Sequence, residues 1–161
     1  MKNIVAISPI MTAQTTPSGK ATSSSQSSND YIAFKGMTAN DNVETNRWCT
    51  AANVQNAWIK YQFPSAVAIN RVDYKMRPAV RKTKDGAHDC SIILQGSNDD
   101  VTYTDITTFT ELATNADNYE LHYFQNTTAY TYYRLQFVGY NITFGNNYYC
   151  GISLLRFLSV E

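Results

Sequence analysis

Residues 90–106, CSIILQGSNDDVTYTDI, decide the fold class of this chain. Ser91 to Gln95 is short, apolar and β-branched, and Val101 to Ile106 alternates between two faces. Between them, Gly96 to Asp100 contains Gly, Asn and Asp, which tolerate positive φ and form turns. The stretch therefore predicts a β-hairpin. Because a hairpin buries one face against a second sheet, we expect an all-β layered domain.

Alternating or apolar runs on both sides of the hairpin predict further strands at residues 57–63, 67–76, 119–124, 130–138 and 152–160. Pro64 and Ser65 predict a turn, and a shift of inward parity within residues 67–76 predicts a β-bulge. Residues 107–118 look irregular, and residues 29–36 predict one helical turn capped by Asn29 or Asp30. About eight antiparallel strands without a long helix predict a β-sandwich or jelly roll.

Composition limits the partners of the chain. Its 161 residues suit one domain, and 13 basic side chains balance 13 acidic ones. Without a net field to attract polyanions, nucleic acid and anionic membranes are not expected partners. No run approaches the roughly 20 apolar residues of a membrane span.

The N-terminal residues form an apolar run, NIVAISPIM, at positions 3–11, followed by a Thr, Ser and Gln-rich connector. We expect residues 1–16 to be an arm and residues 17–161 to be the folded domain. The run has no convincing cleavage site, so we expect it to be retained. Two placements stay open: the arm docks on a neighbouring chain, or it forms a terminal strand along its own domain.

The three cysteines, Cys49, Cys90 and Cys150, form neither a C-x-x-C pair nor a zinc pattern. We expect reduced thiols in a protein assembled in a reducing cytosol. One disulfide with a spare thiol is the alternative.

Six short motifs follow one another along the chain. They are Ala33-Phe34-Lys35-Gly36, Arg47-Trp48, AWIKYQF at 57–63, Gln95-Gly96-Ser97-Asn98-Asp99, Tyr132-Tyr133-Arg134-Leu135 and Gly151-Ile152-Ser153-Leu154. In this order they resemble the motifs of the discoidin, or coagulation factor V/VIII type C, domain. Its galactose-binding-like fold is shared by family 32 carbohydrate-binding modules. The resemblance runs from about Pro17 to the C-terminus and implies a discoidin-like jelly-roll β-sandwich.

The segment 17–36, PSGKATSSSQSSNDYIAFKG, also resembles the start of such modules in bacteriophage tail and appendage proteins. This resemblance implies a virion protein assembled in the host cytoplasm. It also implies contacts with other virion proteins through the N-terminal arm, and a homo-oligomer, for which a trimer would suit a fibre-like appendage.

Two positions depart from the family pattern. Many discoidin domains hold a structural Ca²⁺ through the Asp of A-F-D-G and a Glu on the last strand. This chain has Lys35 and Leu154 there. Because Ca²⁺ needs oxygen ligands that carry negative charge, we expect no metal site and no cofactor.

Catalysis needs converging acid, base or nucleophile groups, and the sequence does not indicate such a set. His88 and His122 are the neutral-pH bases, and His122 lies within a strand pattern typical of a surface or hydrogen-bonded histidine. Asp99 and Asp100 are explained by turn chemistry. We therefore expect a protein that is not an enzyme.

Sugar recognition needs an aromatic side chain for the apolar face of the ring and fixed polar groups for the hydroxyls. In the resembling modules, loops at one end of the fold supply them. The corresponding candidates here are Arg77, Arg81, His88, Asp89, Phe144, Asn146, Asn147 and Tyr148, with Asn46 and Arg47 from an earlier loop. The alternatives are a solvated face or local ion pairs with Asp85 and Asp89 for the arginines, and burial or subunit contacts for Phe144 and Tyr148. Trp48 and Trp58 are expected in the core.

Two functions follow. The first is a carbohydrate-binding adhesion module that attaches a phage virion to host cell-surface glycans, with avidity from many weak sites. The second is a structural virion decoration or connector whose surface contacts neighbouring proteins. We place adhesion first.

Overall fold

The computed structural model describes residues 3–38, 46–76, 91–110, 120–139, 143–144 and 147–160. These residues form two short 3₁₀ helices, Asn29–Tyr31 and Ala33–Met37, and twelve strands. The strands are β1 Ile4–Ala6, β2 Lys20–Ser23, β3 Trp48–Cys49, β4 Ala57–Val67, β5 Arg71–Met76, β6 Ser91–Ser97, β7 Thr104–Thr110, β8 Glu120–Tyr123, β9 Tyr130–Val138, β10 Thr143–Phe144, β11 Asn147–Tyr148 and β12 Gly151–Val160.

Ten of the twelve described strands form two five-stranded antiparallel sheets. One has the order β1-β12-β5-β8, with β3 also paired to β12, and the other has the order β2-β4-β9-β6-β7. Strands β10 and β11 form a separate hairpin. The predicted all-β sandwich is confirmed. No helix in the described ranges is both long and apolar enough to cross a membrane.

The β6–β7 hairpin exists as predicted, but its second strand begins at Thr104. The Asp99 carboxylate organises the turn by accepting hydrogen bonds from the N–H groups of Val101 at 2.9 Å and Thr102 at 2.8 Å. Asp100 follows with a positive φ of 60°. The turn therefore extends through residues that the alternating pattern had assigned to a strand, and β7 continues to Thr110, into the stretch expected to be irregular.

Within residues 67–76, the side chains that face inward change from one alternating set to the other. A crossing between the two sheets causes this change, and not the β-bulge that the sequence predicted. Strand β4 belongs to one sheet and β5 to the other, so the chain crosses between sheets at residues 68–70. The irregularity lies earlier, where the β4–β9 register shifts between Gln62 and Val67. Pro64 is exposed within this stretch and does not end the strand, because proline is tolerated where no ladder hydrogen bond is required.

Aromatic rings fill the space between the sheets. Phe63 meets Tyr61 edge-on at 4.7 Å between ring centroids and Tyr133 at 5.8 Å. Trp48 is fully buried, with its ring centroid 5.7 Å from that of Phe137, so its predicted core position is confirmed. Edge-to-face and tilted contacts of this kind add to the stabilisation from burial alone.

The N-terminal run lies along its own domain. Strand β1 pairs with the end of β12, where Ala6 is opposite Leu158. Met11 is 1% exposed, and its N–H donates to the carbonyl of Met37 at 3.0 Å. Of the two placements left open by the sequence, the terminal strand is the one found.

The predicted helical turn at residues 29–36 is two 3₁₀ helices. The hydroxyl of Ser28, rather than Asn29 or Asp30, caps the first by accepting from the N–H of Asp30 at 3.2 Å. The second continues through Gly36 to Met37. Asn29 and Asp30 therefore lie inside a helix instead of capping it.

Candidate functional site

Strand register places the bases of the predicted binding loops at one end of the sandwich. In one sheet, Met76 at the end of β5 lies opposite Ile152 near the start of β12. In the other, Ser91 at the start of β6 lies opposite Val138 at the end of β9. The segments 77–90 and 139–150 therefore leave the sheets at the same end, which we call the loop end.

Segment 50–56 follows β3 and also lies at the loop end, where it is hydrogen-bonded to residues of segment 139–150. The side-chain amide of Asn53 donates to Oδ1 of Asn147 at 3.1 Å. The Cys150 N–H donates to Oγ1 of Thr50 at 3.0 Å, and the Thr50 N–H donates to the Cys150 carbonyl at 2.9 Å. The N–H of Gly139 donates to Asn56 Oδ1 at 2.9 Å. These bonds hold the two segments together.

The structure describes only part of the predicted site. The candidates that lie outside the described residues are Arg77, Arg81, His88, Asp89 and Asn146, and Cys90 lies outside them as well. For Phe144 and Tyr148 it gives the backbone, in which Phe144 pairs with Asn147 and Thr143 with Tyr148. Asn147 is half-buried and takes part in the contact between segments.

Arg47 and Lys35 have structural partners. Arg47 is 6% exposed, and its guanidinium carbon lies 5.4 Å from the centroid of the Tyr31 ring, so it packs in the interior instead of extending from the rim. The Lys35 ammonium lies 3.7 Å from the Asp30 carboxylate, and Leu154 is fully buried. An ammonium and an alkyl group do not fit the family calcium ligands, so the loss of that site stays our prediction.

A cluster of aromatic, charged and carboxamide side chains, which no sequence motif predicts, lies on the outer face of the β2-β4-β9-β6-β7 sheet. This outer-face cluster consists of Trp58, Lys60, Gln95, Asp100, Tyr103, Asp105, Tyr132 and Arg134. Trp58, expected in the core, is instead half-buried on this face, because Ala57, Ile59 and Tyr61 are the inward residues of β4. The strict alternation of residues 57–63 was the signal that could have revealed this.

Stacked cations and hydrogen bonds organise the outer-face cluster. The Arg134 guanidinium carbon lies 3.7 Å from the Tyr103 ring centroid, and its Nε donates to Oε1 of Gln95 at 2.6 Å. The Gln95 side-chain amide donates onward to Asp105 at 2.5 Å. Burial lowers the pKa of Arg134. Burial and the hydrogen bond from its own hydroxyl to Asp100 raise the pKa of Tyr103 far above its usual range, so the phenol stays protonated.

His122 is a hydrogen-bonded, stacked histidine, as predicted. Its ring centroid lies 5.1 Å from that of Tyr74 and 4.1 Å from that of Phe109, and Nε2 is 3.2 Å from the Tyr74 hydroxyl. Burial lowers the pKa of His122. Within the described ranges, no group of three or more His, Cys, Asp or Glu residues could hold a metal ion. Cys49 and Cys150 are both buried, and neither forms a disulfide within the part of the chain that the structure describes.

The model of the F5/8 type C domain family matches residues 20–153. The chain belongs to the F5/8 type C domain family. The match includes the whole of the described loop end as far as Gly151, together with the outer-face cluster. No curated protein matches this F5/8 type C domain.

Solved structures resemble this F5/8 type C domain along most of their length. A selenomethionine-labelled mutant of chitosan-binding module 1 from a Paenibacillus sp. IK-5 chitosanase/glucanase has 22% identity and a TM-score of 0.65, covering 88% of this chain and 94% of that one. Chitosan-binding module 2 of the same enzyme, in complex with chitotriose, has 17% identity and a TM-score of 0.66, covering 88% and 95%.

A third similar structure is CpGH89CBM32-5 from Clostridium perfringens, in complex with GalNAc-β-1,3-galactose. It has 17% identity and a TM-score of 0.63, covering 86% of this chain and 94% of that one. At these identities the three structures show that the F5/8 type C domain shares their fold.

Proposed function

We propose that this domain is a carbohydrate-binding module without catalytic activity, and that its sugar site is the loop end. Strand register is the observation that carries the proposal, since it places the bases of segments 77–90 and 139–150 together. The Asn53–Asn147 hydrogen bond adds a third segment to the same end. Loops presented side by side by a rigid sandwich are a common arrangement for binding sites.

The residue types at the loop end suit sugar recognition. Arg77, Arg81, His88 and Asp89 would supply charged hydrogen-bonding groups, and Asn146 and Asn147 would supply carboxamides. Phe144 and Tyr148 belong to the β10–β11 hairpin and would supply aromatic faces. A few fixed polar groups beside aromatic rings are what a saccharide needs for orientation and affinity.

The similar folds make saccharides the first ligand class to test. One was solved with chitotriose and another with GalNAc-β-1,3-galactose. Those ligands belong to those proteins. For this chain they define two probes, an amino-sugar oligomer and a galactose-containing disaccharide.

The finer role that we propose is attachment of a phage virion to host surface glycans. It is motivated by the resemblance of residues 17–36 to the start of phage appendage modules. Weak individual sites displayed in many copies would provide avidity. Assembly in the host cytoplasm, a homo-oligomeric state and contacts with other virion proteins belong to this proposal.

A structural role in a particle is the second candidate. It is favoured by β8, which is the last of the described strands on one side of its sheet and in which Leu121 is 51% exposed and Tyr123 is 61% exposed. An exposed apolar edge strand is a natural surface for protein contacts.

A glycan array with multivalently displayed protein tests the first function. We expect binding to a defined glycan that an Arg81→Ala/Tyr148→Ala double variant loses. A Tyr123→Ala variant is the matched control, because it removes an exposed tyrosine from β8 rather than from the loop end. Equal binding by the double variant would exclude the loop end. Folded protein that binds no glycan would favour the structural role.

A further inference from the structure

The open side of strand β8 presents backbone groups that its own sheet does not use. In an antiparallel pair, hydrogen-bonded and non-hydrogen-bonded residue pairs alternate. The N–H of Phe124 donates to the carbonyl of Asn70 at 3.0 Å, so the even-numbered residues of β8 direct their backbone groups towards β5. The N–H and C=O groups of Leu121 and Tyr123 therefore point away from β5, to the side where no described strand follows β8.

The side chains of the same two residues are large, apolar and exposed. Leu121 and Tyr123 are each more than half exposed, and they lie on one face of the strand because they are two residues apart. The Tyr123 hydroxyl accepts a hydrogen bond from Nη1 of Arg71 at 2.9 Å, which fixes the position of its ring. Exposed apolar side chains beside outward backbone groups are the combination that promotes pairing with another strand.

Two other edge strands carry features that oppose such pairing. Strand β2 is covered by the connector, in which the carbonyl of Gln14 accepts from the N–H of Ala21 at 2.9 Å. In β7, the register with β6 shifts at Ile106, and Asp105 adds an exposed charge. Bulges and charges of this kind protect sheet edges. Strand β8 pairs with β5 in a regular register, and neither of its outward residues is charged.

We propose that β8 pairs with β8 of a second copy of this chain, which forms an antiparallel, two-fold symmetric dimer. With the axis at His122, Leu121 of one copy lies opposite Tyr123 of the other, and the symmetry repeats this pair. Each pair exchanges two backbone hydrogen bonds, so all the outward N–H and C=O groups of Leu121 and Tyr123 gain partners. The same register places each exposed leucine against an exposed tyrosine, which is a favourable cross-strand contact.

The side chains that face the axis are compatible with a second copy. The two His122 side chains lie opposite each other, and burial lowers the pKa of His122, so both imidazoles are uncharged at neutral pH and do not repel each other. Glu120 is the one charged residue of β8, and it lies opposite Phe124 of the other copy instead of a second carboxylate. The strand is thus complementary to itself along its whole length.

The small size of the paired region sets the strength of the dimer. Because β8 has 4 residues, the buried area falls at the low end of specific interfaces, and we expect reversible association with a dissociation constant on the order of 10–100 μM. The dimer forms whether or not the loop end binds a glycan, and substitutions on β8 leave the intrinsic glycan affinity of each copy unchanged. Failure of the dimer and failure of the loop-end site are therefore separate results.

Sedimentation velocity over a concentration series tests the pairing. The mass should rise from that of one 18.1 kDa chain towards twice that value between about 5 and 500 μM. Leu121→Lys places a charge at the paired edge and should weaken association at least about tenfold. Val101→Lys adds the same charge at a valine that is 82% exposed in the hairpin turn, and it should associate like the wild type. A monomer at every concentration, or equal association of Leu121→Lys and wild type, would show that the proposal is wrong.

Cysteine cross-linking tests the register. Leu121→Cys and Tyr123→Cys are made as separate proteins in a Cys90→Ser background, in which the remaining Cys49 and Cys150 are buried. Facing residues of a hydrogen-bonded antiparallel pair have Cα atoms about 5.5 Å apart, which suits a disulfide. Under mild oxidation, a mixture of the two proteins should give a disulfide-linked dimer, and each protein alone should give little. Equal cross-linking in the mixture and in the separate proteins would contradict this register.

Discussion

The ammonium of Lys60 lies 2.6 Å from Oδ1 and 2.8 Å from Oδ2 of Asp100, which ties strand β4 to the turn of the β6–β7 hairpin. The Lys60 side chain is only 12% exposed and lies 4.8 Å from the centroid of the Trp58 ring. Burial acts to raise the pKa of Asp100, but hydrogen bonds from Lys60 and Tyr103 outweigh it and leave that pKa below its usual value. The pair thus fixes the turn over the outer face.

Removing the charge of Asp100 should destabilise the domain. We expect Asp100→Asn to lower the free energy of unfolding by about 1 kcal/mol, since the pair is charge-assisted but the Asp100 side chain is 37% exposed and partly screened. Asn is the suitable replacement because it tolerates the positive φ at this position. Urea denaturation of Lys60→Met, Asp100→Asn and the double variant measures the coupling, and strictly additive effects would show that the contact contributes nothing.

Protonation of the Asp99 carboxylate should lower the free energy of unfolding at acidic pH. Hydrogen bonds from the N–H groups of Val101 and Thr102, and from the Ser97 hydroxyl, lower its pKa from 3.8 to about 2. The pKa of Asp99 is lower in the folded state than in the unfolded state. Its contribution to the free energy of unfolding is therefore complete above pH 3.8 and is lost as the pH falls towards 2. Denaturation between pH 5 and about pH 2 should show a smaller loss for Asp99→Asn than for the wild type. Parallel curves for the two proteins would contradict the lowered pKa.

Glycine at position 96 is required by the ring of Tyr130. A Cβ atom built on Gly96 would overlap Cδ2 and Cγ of that ring. Gly96→Ala should therefore destabilise the protein by about 1–3 kcal/mol, the usual cost of overpacking. Thermal unfolding of Gly96→Ala, Tyr130→Ala and the double variant provides the check. In the Tyr130→Ala background, Gly96→Ala should reduce stability much less than it does in the wild type. An equal loss of stability in both backgrounds would show that the Tyr130 ring is not the cause.

Two Thr→Val substitutions should differ in their effect on the free energy of unfolding. Thr50 is fully buried, and its hydroxyl accepts the hydrogen bond of the Cys150 N–H, so Thr50→Val would leave a buried donor without a partner at the loop end. We expect a loss of about 1–3 kcal/mol. Thr22→Val removes a buried hydroxyl that has no partner among the described residues and should cost nothing. Equal effects of the two substitutions in thermal unfolding would contradict this difference.

Local patterns were sufficient to predict the sheets. The alternation in residues 57–63 and 130–138 corresponds to β4 and β9, which pair along their length. It could not show where the chain changes sheet, because residues 67–76 look the same whether the parity shift comes from a bulge or from a crossing. The second strand of the hairpin was placed too early, since the hydrogen bonds that extend the turn come from the single carboxylate of Asp99.

For the candidate site, the sequence could predict only that its loops leave the sheets at one end. The resemblance placed the loops at one end, and the register of Met76 with Ile152 and of Ser91 with Val138 agrees with that placement. The roles of Arg77, Arg81 and His88 stay predictions, because these residues lie outside the described ranges.

The most direct test of the central claim is isothermal titration calorimetry with the glycan that the array identifies. Wild-type protein and the Arg81→Ala/Tyr148→Ala variant would be titrated at equal concentrations, with Tyr123→Ala as control. If the loop end is the sugar site, the double variant should lose at least tenfold in affinity, about 1.4 kcal/mol or more, while Tyr123→Ala keeps the wild-type value. Equal affinity of the double variant and the wild type would contradict the claim.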